Sequence, residues 1–140
     1  MSVFGFYFTA INANVNEEHL FGSINITSTP SIESLEKKDL PQMKDIVGIR
    51  FKYVTNYDKA GDVVLNGEVL YKVDDAKKVE DMWKKNKRME DELAVDVLNF
   101  ILRRCVTKTM EISEVLRLPP PIQFPTVTRE KSSDVKGKKQ

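Results

Sequence analysis

The chain has 140 residues, of which 41% are hydrophobic, and this composition fits one domain with its own core. Because 22 Lys and Arg residues nearly balance 21 Asp and Glu residues, the net charge of +1 provides no general attraction for nucleic acid or anionic lipid. Only the end of the chain is basic, and it is poor in large apolar residues. We therefore expect one domain over residues 1–127, a disordered basic tail over residues 128–140, and no nucleic-acid partner.

Cysteine content and hydropathy bear on the cellular compartment. Cys105 is the single cysteine, so an intrachain disulfide is excluded. No apolar run reaches the roughly 20 residues that a membrane-spanning helix needs. The sequence thus predicts a cytoplasmic protein without membrane insertion.

Alternating apolar residues in the first half predict antiparallel strands. Residues 3–11 place Phe4, Phe6 and Phe8 on one face, as expected for a first strand. Residues 23–28 alternate again and are predicted to form a second strand, and Thr29 and Pro30 either end it or mark it as an edge strand. The polar residues 31–44 fit either a continuation of that strand or a turn region.

The third and fourth strands have the clearest pattern. Residues 47–53 alternate strictly, with Phe51 and Tyr53 on the apolar face. Residues 63–73 alternate in the same way, although Gly67 leaves a gap or a close approach in the middle. The Asp and Gly residues of the intervening segment 57–62 favour a turn. These two strands are therefore predicted to form a hairpin.

After Asp74 and Asp75 the apolar period changes from two to that of a helix. Ala76, Val79 and Trp83 form a thin apolar stripe on a short first helix. A second helix is predicted from about Asp91 to Leu118, and its apolar surface is wider than one stripe. We expect such a helix to be covered on two sides, by its own sheet and by a second chain.

Three consecutive prolines end the long helix. Pro119, Pro120 and Pro121 cannot supply the amides that a helix needs, so the chain leaves the helix there as an extended segment. Ile122, Phe124 and Val127 then form an apolar strip with a small ordering entropy, which favours contact with a groove or a neighbouring subunit.

No catalytic, metal or cofactor pattern occurs. His19 and Cys105 lack the companions that a zinc site or a catalytic thiol requires, and the isolated glycines form no phosphate-binding loop. The acidic clusters lie at helix starts or on polar faces, where capping and solvation account for them. We therefore predict a binding protein that is not an enzyme and needs no cofactor or metal.

The order of elements and the segment from Leu118 to Val127 give the chain a resemblance to the SecB-like protein-export chaperones. Members of that family also have a long helix followed by a short hydrophobic, proline-containing segment. Residues 4–11 and 24–26 are similar in character to the family's opening strands, so the resemblance spans residues 3–127. It implies an α+β fold in which a four-stranded antiparallel sheet is followed by a short and a long helix.

The resemblance further implies an ATP-independent holdase that binds unfolded polypeptide along hydrophobic grooves and pairs into dimers and tetramers. By position, the peptide contacts would be the following apolar residues: Phe6, Phe8, Phe51, Tyr53, Ile122 and Phe124. Bacterial members use an acidic or metal-binding tail to engage the export motor, whereas this tail is lysine-rich and contains no Cys or His. A general chaperone, or one dedicated to a few clients, fits that tail better than coupling to the motor does.

Two other functions remain open on sequence grounds. The proline-rich strip could instead attach a structural or adaptor subunit to one folded partner. A cavity between the sheet and the long helix could instead hold a small ligand. The aromatic residues of the strands also fit ordinary core packing, which is the alternative to a partly exposed groove.

Overall fold

Four long strands occupy the first half of the chain, and two helices follow them. The computed structural model describes residues 2–122 and Val127. The elements are β1 (Ser2–Val15), β2 (Thr27–Leu40), β3 (Met43–Asn56), β4 (Gly61–Lys72), α1 (Ala76–Asn86) and α2 (Asp91–Leu116), with short 3-10 turns at Glu17–His19 and Asp58–Ala60. This order confirms the predicted α+β fold.

The strands form one antiparallel sheet in the order β1-β4-β3-β2. The hairpin predicted between the third and fourth strands is present, since Asn56 pairs with Asp62 across the turn. β2 and β3 form a second hairpin around Gln42, which adopts a left-handed conformation at φ 67°. β1 and β2 are therefore the two edge strands, and residues 16–26 carry the chain from one edge of the sheet to the other.

Both helices cover the same face of the sheet. That face contains the odd-numbered residues 47–55 of β3 and 63–71 of β4, which are buried, as the alternation predicted. α2 turns toward it a row of residues spaced four apart: Leu93, Val97, Ile101, Cys105, Thr109 and Ser113. α1 packs over β2 and β3, while α2 packs over β4 and reaches the other three strands. The opposite face of the sheet carries no helix and is called the helix-free face below.

Several predicted boundaries differ from the structure. β1 ends at Val15, not at residue 11, and β2 begins at Thr27, not at residue 23. β2 continues through Pro30 to Leu40, which is one of the two alternatives left open for residues 31–44. An edge strand tolerates Pro30 because only alternate amides of such a strand enter the ladder. α2 ends at Leu116, not at Leu118, because Pro119 disfavours a helical conformation for the residue before it. Arg117 closes the helix in a left-handed conformation at φ 63°.

Candidate peptide-binding surface

An aromatic cluster lies where β1, β3 and α2 meet. The ring of Phe6 stacks on Phe51 with centroids 5.4 Å apart, and it meets Phe8 edge-on at 5.1 Å. Phe100 of α2 contacts the same Phe6 ring at 5.4 Å. The fold thus brings together three residues that the sequence placed in the peptide site, and α2 adds a fourth ring.

The cluster depends on the absence of a side chain at Gly67. A Cβ atom there would lie 2.5 Å from the backbone oxygen of Tyr7 and 2.6 Å from Cζ of Phe51. Both distances are far below van der Waals contact, so the Phe51 ring and the β1 backbone occupy the space that a side chain would need. The gap predicted at Gly67 is therefore a close approach between β1 and β4.

The predicted contact residues differ in how far a partner can reach them. Phe6 and Phe8 are partly buried on the edge strand, whereas Phe51 and Tyr53 lie on a central strand and expose only 1% and 2% of their surface. A peptide could reach those last two rings only if α2 moved away. In the protomer, Phe51 packs beneath Phe6 and Phe8, and Tyr53 is a buried core residue.

Arg104 covers the outer side of this cluster. Its guanidinium carbon lies 5.4 Å from the centroid of Phe6 and 5.1 Å from the centroid of Phe100, within the range of a cation–π interaction. The side chain thereby places a positive charge beside partly exposed aromatic surface. Sequence reasoning missed this contact because Arg104 and Phe6 are almost one hundred positions apart in the chain.

A groove of about 600 Å³ lies at the C-terminal end of α2. We call it the end groove, and its apolar lining consists of Leu20, Met110, Leu118, Pro119 and Pro120. Glu111, Glu114 and Arg117 supply charged groups around that lining. The first two prolines after the helix therefore help to form a concave apolar surface.

The proline-rich strip begins at the end groove. Ile122, the last residue before a gap in the described chain, is about half exposed. Phe124, the other predicted contact residue in this strip, lies outside the described residues. Leu20 comes from the connection between β1 and β2, so the end groove joins parts of the sequence that are far apart.

Further apolar surface lies on the outer side of α2. Val95, Leu98 and Leu102 follow one another at helical spacing and form what we call the outer stripe. Val95 and Leu102 are exposed, and Leu98 is half-buried. α2 therefore carries apolar side chains away from the sheet as well as toward it, and within residues 2–122 no element covers the outer stripe, so its cover by a second chain stays a prediction.

The two edges of the sheet are protected differently. On β2, the backbone amide of Lys37 donates a hydrogen bond to the carboxylate of Glu80 on α1 at 2.9 Å, which blocks that edge. β1 carries the exposed side chains of Phe4, Tyr7 and Ile11 along 14 residues of strand. β1 is thus the more accessible edge.

The described residues contain little that would support other chemistry. No group of three or more His, Cys, Asp or Glu residues within them could hold a metal ion. Burial raises the pKa of the Cys105 thiol to about 12, so the thiol is protonated and unreactive at neutral pH. Neither helix in this part of the chain has both the length and the hydropathy to cross a membrane.

Comparisons with known proteins add information on the fold alone. No protein-family model matches the chain, and no curated protein matches it. Among solved structures, the chain is similar to the Rv1957 SecB-like chaperone of Mycobacterium tuberculosis in complex with a ChAD peptide from the Rv1956 HigA1 antitoxin. That match has a TM-score of 0.55 and 12% identity and covers 90% of this chain and 86% of the other.

A weaker match is a protein of unknown function from Streptococcus agalactiae, with a TM-score of 0.44 and 10% identity over 89% of this chain and 95% of that one. This chain has the arrangement expected from the sequence, a four-stranded antiparallel sheet with two helices, and the first match covers 90% of it. The chain therefore has a SecB-like fold, which confirms the resemblance at the level of structure.

Proposed function

We propose that this protein is an ATP-independent chaperone of the holdase type, which binds unfolded or non-native polypeptide in the cytoplasm and assembles into dimers or tetramers. The observation that carries the proposal is the apolar surface that residues 2–122 leave open along β1, on the outer stripe and in the end groove. Contiguous apolar surface on a folded protein marks sites of interaction. The SecB-like neighbour was solved with a bound peptide, which supports a polypeptide as the partner.

The proposed contacts fall into two regions. Phe6 and Phe8 would meet a client at the border between β1 and α2, where both rings pack on Phe51, and Tyr53 would take part only if it became exposed. Ile122, which follows the groove-lining Pro119 and Pro120 closely in the chain, would supply a second contact, and Phe124 is proposed as a further contact from the sequence alone. Non-native chains expose apolar side chains and unpaired backbone, and apolar grooves beside an open strand edge can accept both without a strict sequence requirement.

Suppression of aggregation is the direct test. The protein should keep several unrelated denatured proteins in solution without ATP, and Ile122→Asp should weaken this activity several-fold because it places a charge on the apolar strip. Val115→Asp, at an exposed position of α2 that belongs to none of the proposed contact regions, is the matched control. Absence of suppression for every denatured protein tested would refute the holdase proposal.

Assembly is tested separately by light scattering. We expect a mass of two or four protomers, and we expect Leu102→Asp to reduce it because a charge on the outer stripe cannot be buried against a second chain. Asn99→Asp, an exposed neighbour on the same helix, should leave the mass unchanged. A wild-type protein that stays monomeric at high concentration would contradict the proposed assembly.

The adaptor function remains the second candidate because Pro119 and Pro120 line a defined groove beside the strip. An adaptor would bind one folded partner through this region and would not suppress the aggregation of unrelated proteins. The same aggregation assay therefore separates the two functions.

A further inference from the structure

Glu68 is a buried carboxylate on the helix-free face of the sheet. Only 2% of its surface is exposed, and its neighbours come from the other three strands. It accepts a hydrogen bond from the hydroxyl of Tyr7 on β1, and its Oε2 lies 3.2 Å from Nζ of Lys38 on β2 and 3.8 Å from Nε of Arg50 on β3. One side chain from each strand thus meets at a single buried charge.

Tyr7 lies in an unusual part of β1. The pairing of β1 with β4 shifts between Val3 and Gly5 and again between Phe8 and Ala10, so an irregularity stands on each side of residues 5–8. We call these four residues the bracketed segment. Each shift exchanges the faces on which odd and even residues lie.

The two shifts decide which side chains face the helices. Before and after the bracketed segment, odd-numbered residues such as Val3 and Ala13 pair with the helix-facing positions of β4. Within the bracketed segment, the even-numbered residues take the helix-facing positions, because Phe6 pairs with Val69 and Phe8 pairs with Gly67. The position of the two irregularities therefore determines that both phenylalanines reach the aromatic cluster.

The alternation of the sequence does not fix this position. Phe4, Phe6 and Phe8 occupy every second residue, so a movement of the segment by one residue would keep them on one face but turn that face away from the helices. Because the two irregularities lie at its ends, such a movement could occur without changing the pairing of residues 11–15. The packing of Phe6 against Phe51 and Phe100 favours the observed position, and a polar contact within the segment can add to it.

We propose that Tyr7 and Glu68 are positioning residues that hold the bracketed segment so that Phe6 and Phe8 face the helices. Tyr7 is the one member of the segment that forms a side-chain hydrogen bond to β4, and it does so in the middle of the segment. Glu68 in turn forms ion pairs with Lys38 on β2 and Arg50 on β3. Through Glu68, the segment is therefore connected to these two strands as well as to β4. The effect on clients rests on the proposed function, whereas the positioning itself does not.

The strength of the hydrogen bond from Tyr7 to Glu68 follows from the charge and the burial of the acceptor. A hydrogen bond to a charged group is stronger than one between neutral groups, and the buried carboxylate depends on its donors to offset the loss of water. The hydrogen bond to Glu68 also raises the pKa of Tyr7, so the hydroxyl stays protonated and remains a donor through neutral pH. Removing that one hydroxyl should therefore release the segment without removing any apolar contact.

Amide hydrogen exchange in full-length Tyr7→Phe tests the proposal. We expect the amides of residues 5–8 that pair with β4 to exchange about tenfold faster or more, while those of residues 11–15 keep the wild-type rate. Asn14→Ala is the matched control, because it removes another hydrogen bond between β1 and β4, from Asn14 to Asp62 at 3.2 Å, outside the segment. That control should leave residues 5–8 unchanged.

Two variants of Glu68 distinguish the effect of the hydrogen bond from the effect of the charge. Glu68→Gln keeps an oxygen that can accept from Tyr7 and should hold the segment better than Glu68→Leu, which keeps none. Unchanged exchange at residues 5–8 in Tyr7→Phe, or equal acceleration along all of β1, would overturn the positioning role. Local acceleration with unchanged client capture would support positioning and would count against Phe6 and Phe8 as client contacts.

Discussion

Replacement of Gly67 by alanine is expected to lower the free energy of unfolding by about 1–3 kcal/mol, the usual range for overpacking a core. The new Cβ would lie 2.5 Å from the Tyr7 backbone oxygen, and ordinary contact begins near 3.4 Å, so β1 would have to move by about 0.9 Å. The second neighbour cannot yield easily either, since the Phe51 ring at 2.6 Å is stacked on Phe6. The added methyl group therefore strains both the edge strand and the aromatic cluster.

Gly5→Ala provides the matched control on the same sheet. A Cβ atom at Gly5 would lie 3.5 Å from Cδ1 of Leu70, which is ordinary contact. Because this variant removes chain entropy from the unfolded state without a clash, it should be neutral or stabilising by up to about 1 kcal/mol.

Urea unfolding followed by far-ultraviolet circular dichroism measures both effects. The protein concentration must be the same in all samples, because assembly makes the apparent stability depend on concentration. With a slope of about 1–3 kcal/mol per molar urea, the midpoint of Gly67→Ala should fall by about 1 M relative to Gly5→Ala. Equal midpoints for the two variants would refute the argument that β1 and Phe51 have no room to move.

Three more outcomes are expected. Burial raises the pKa of Cys105 from 9.0, and burial together with the hydrogen bond to Asp96 raises that of Tyr71 from 10.0, each to about 12. Since the folded state holds these protons more tightly, thermal stability should fall as the pH rises from about 9 to 12, and less steeply in Cys105→Ala. Gly48→Ala would place a methyl group against Glu68 and should lower the urea midpoint by about 0.5–1 M, and a wild-type midpoint would contradict this. Glu80→Ala should expose the β2 edge and speed concentration-dependent aggregation in light scattering, whereas an unchanged rate would show that Glu80 does not protect that edge.

Periodicity predicted the types of the elements because side chains alternate on a strand and recur on a helix with fixed periods. It was least informative for β2, whose polar residues 31–40 lie mostly at the edge of the sheet and show no strong alternation. Pro30 fitted either the end of a strand or an edge strand, and only the strand order shows that the second alternative holds. Boundaries thus failed where the apolar pattern is weak, not where it is strong.

Depth within the sheet was harder to predict than the face of the sheet. Phe6 and Phe51 both belong to clear alternating patterns, yet one lies on an edge strand and the other on a central strand. Strand order depends on pairing between distant parts of the chain, which alternation does not encode. For the same reason, the end groove was missed, since Leu20 and Pro119 are brought together only by the fold.

Glu68 illustrates the same limit for a polar residue. It occupies an even position of β4, where alternation predicts a solvated side chain, and yet it is buried. The cover comes from Lys38 and Tyr7, which reach it from strands that flank it in space but not in sequence. A buried charge of this kind can be found only when the neighbouring strands are known.

The location of the apolar surface constrains how one protomer could serve both assembly and client binding. Phe6 and Phe8 lie at the border of β1 and α2, and the outer stripe lies on the same helix, so a second chain and a client would compete for neighbouring surface. The end groove lies at the far end of α2 and uses Leu118 and Pro119. If assembly covers the β1 border, client capture should depend on Ile122 more than on Phe8. Comparing the aggregation suppression of Ile122→Asp and Phe8→Asp in the assembled protein would therefore show which region clients use.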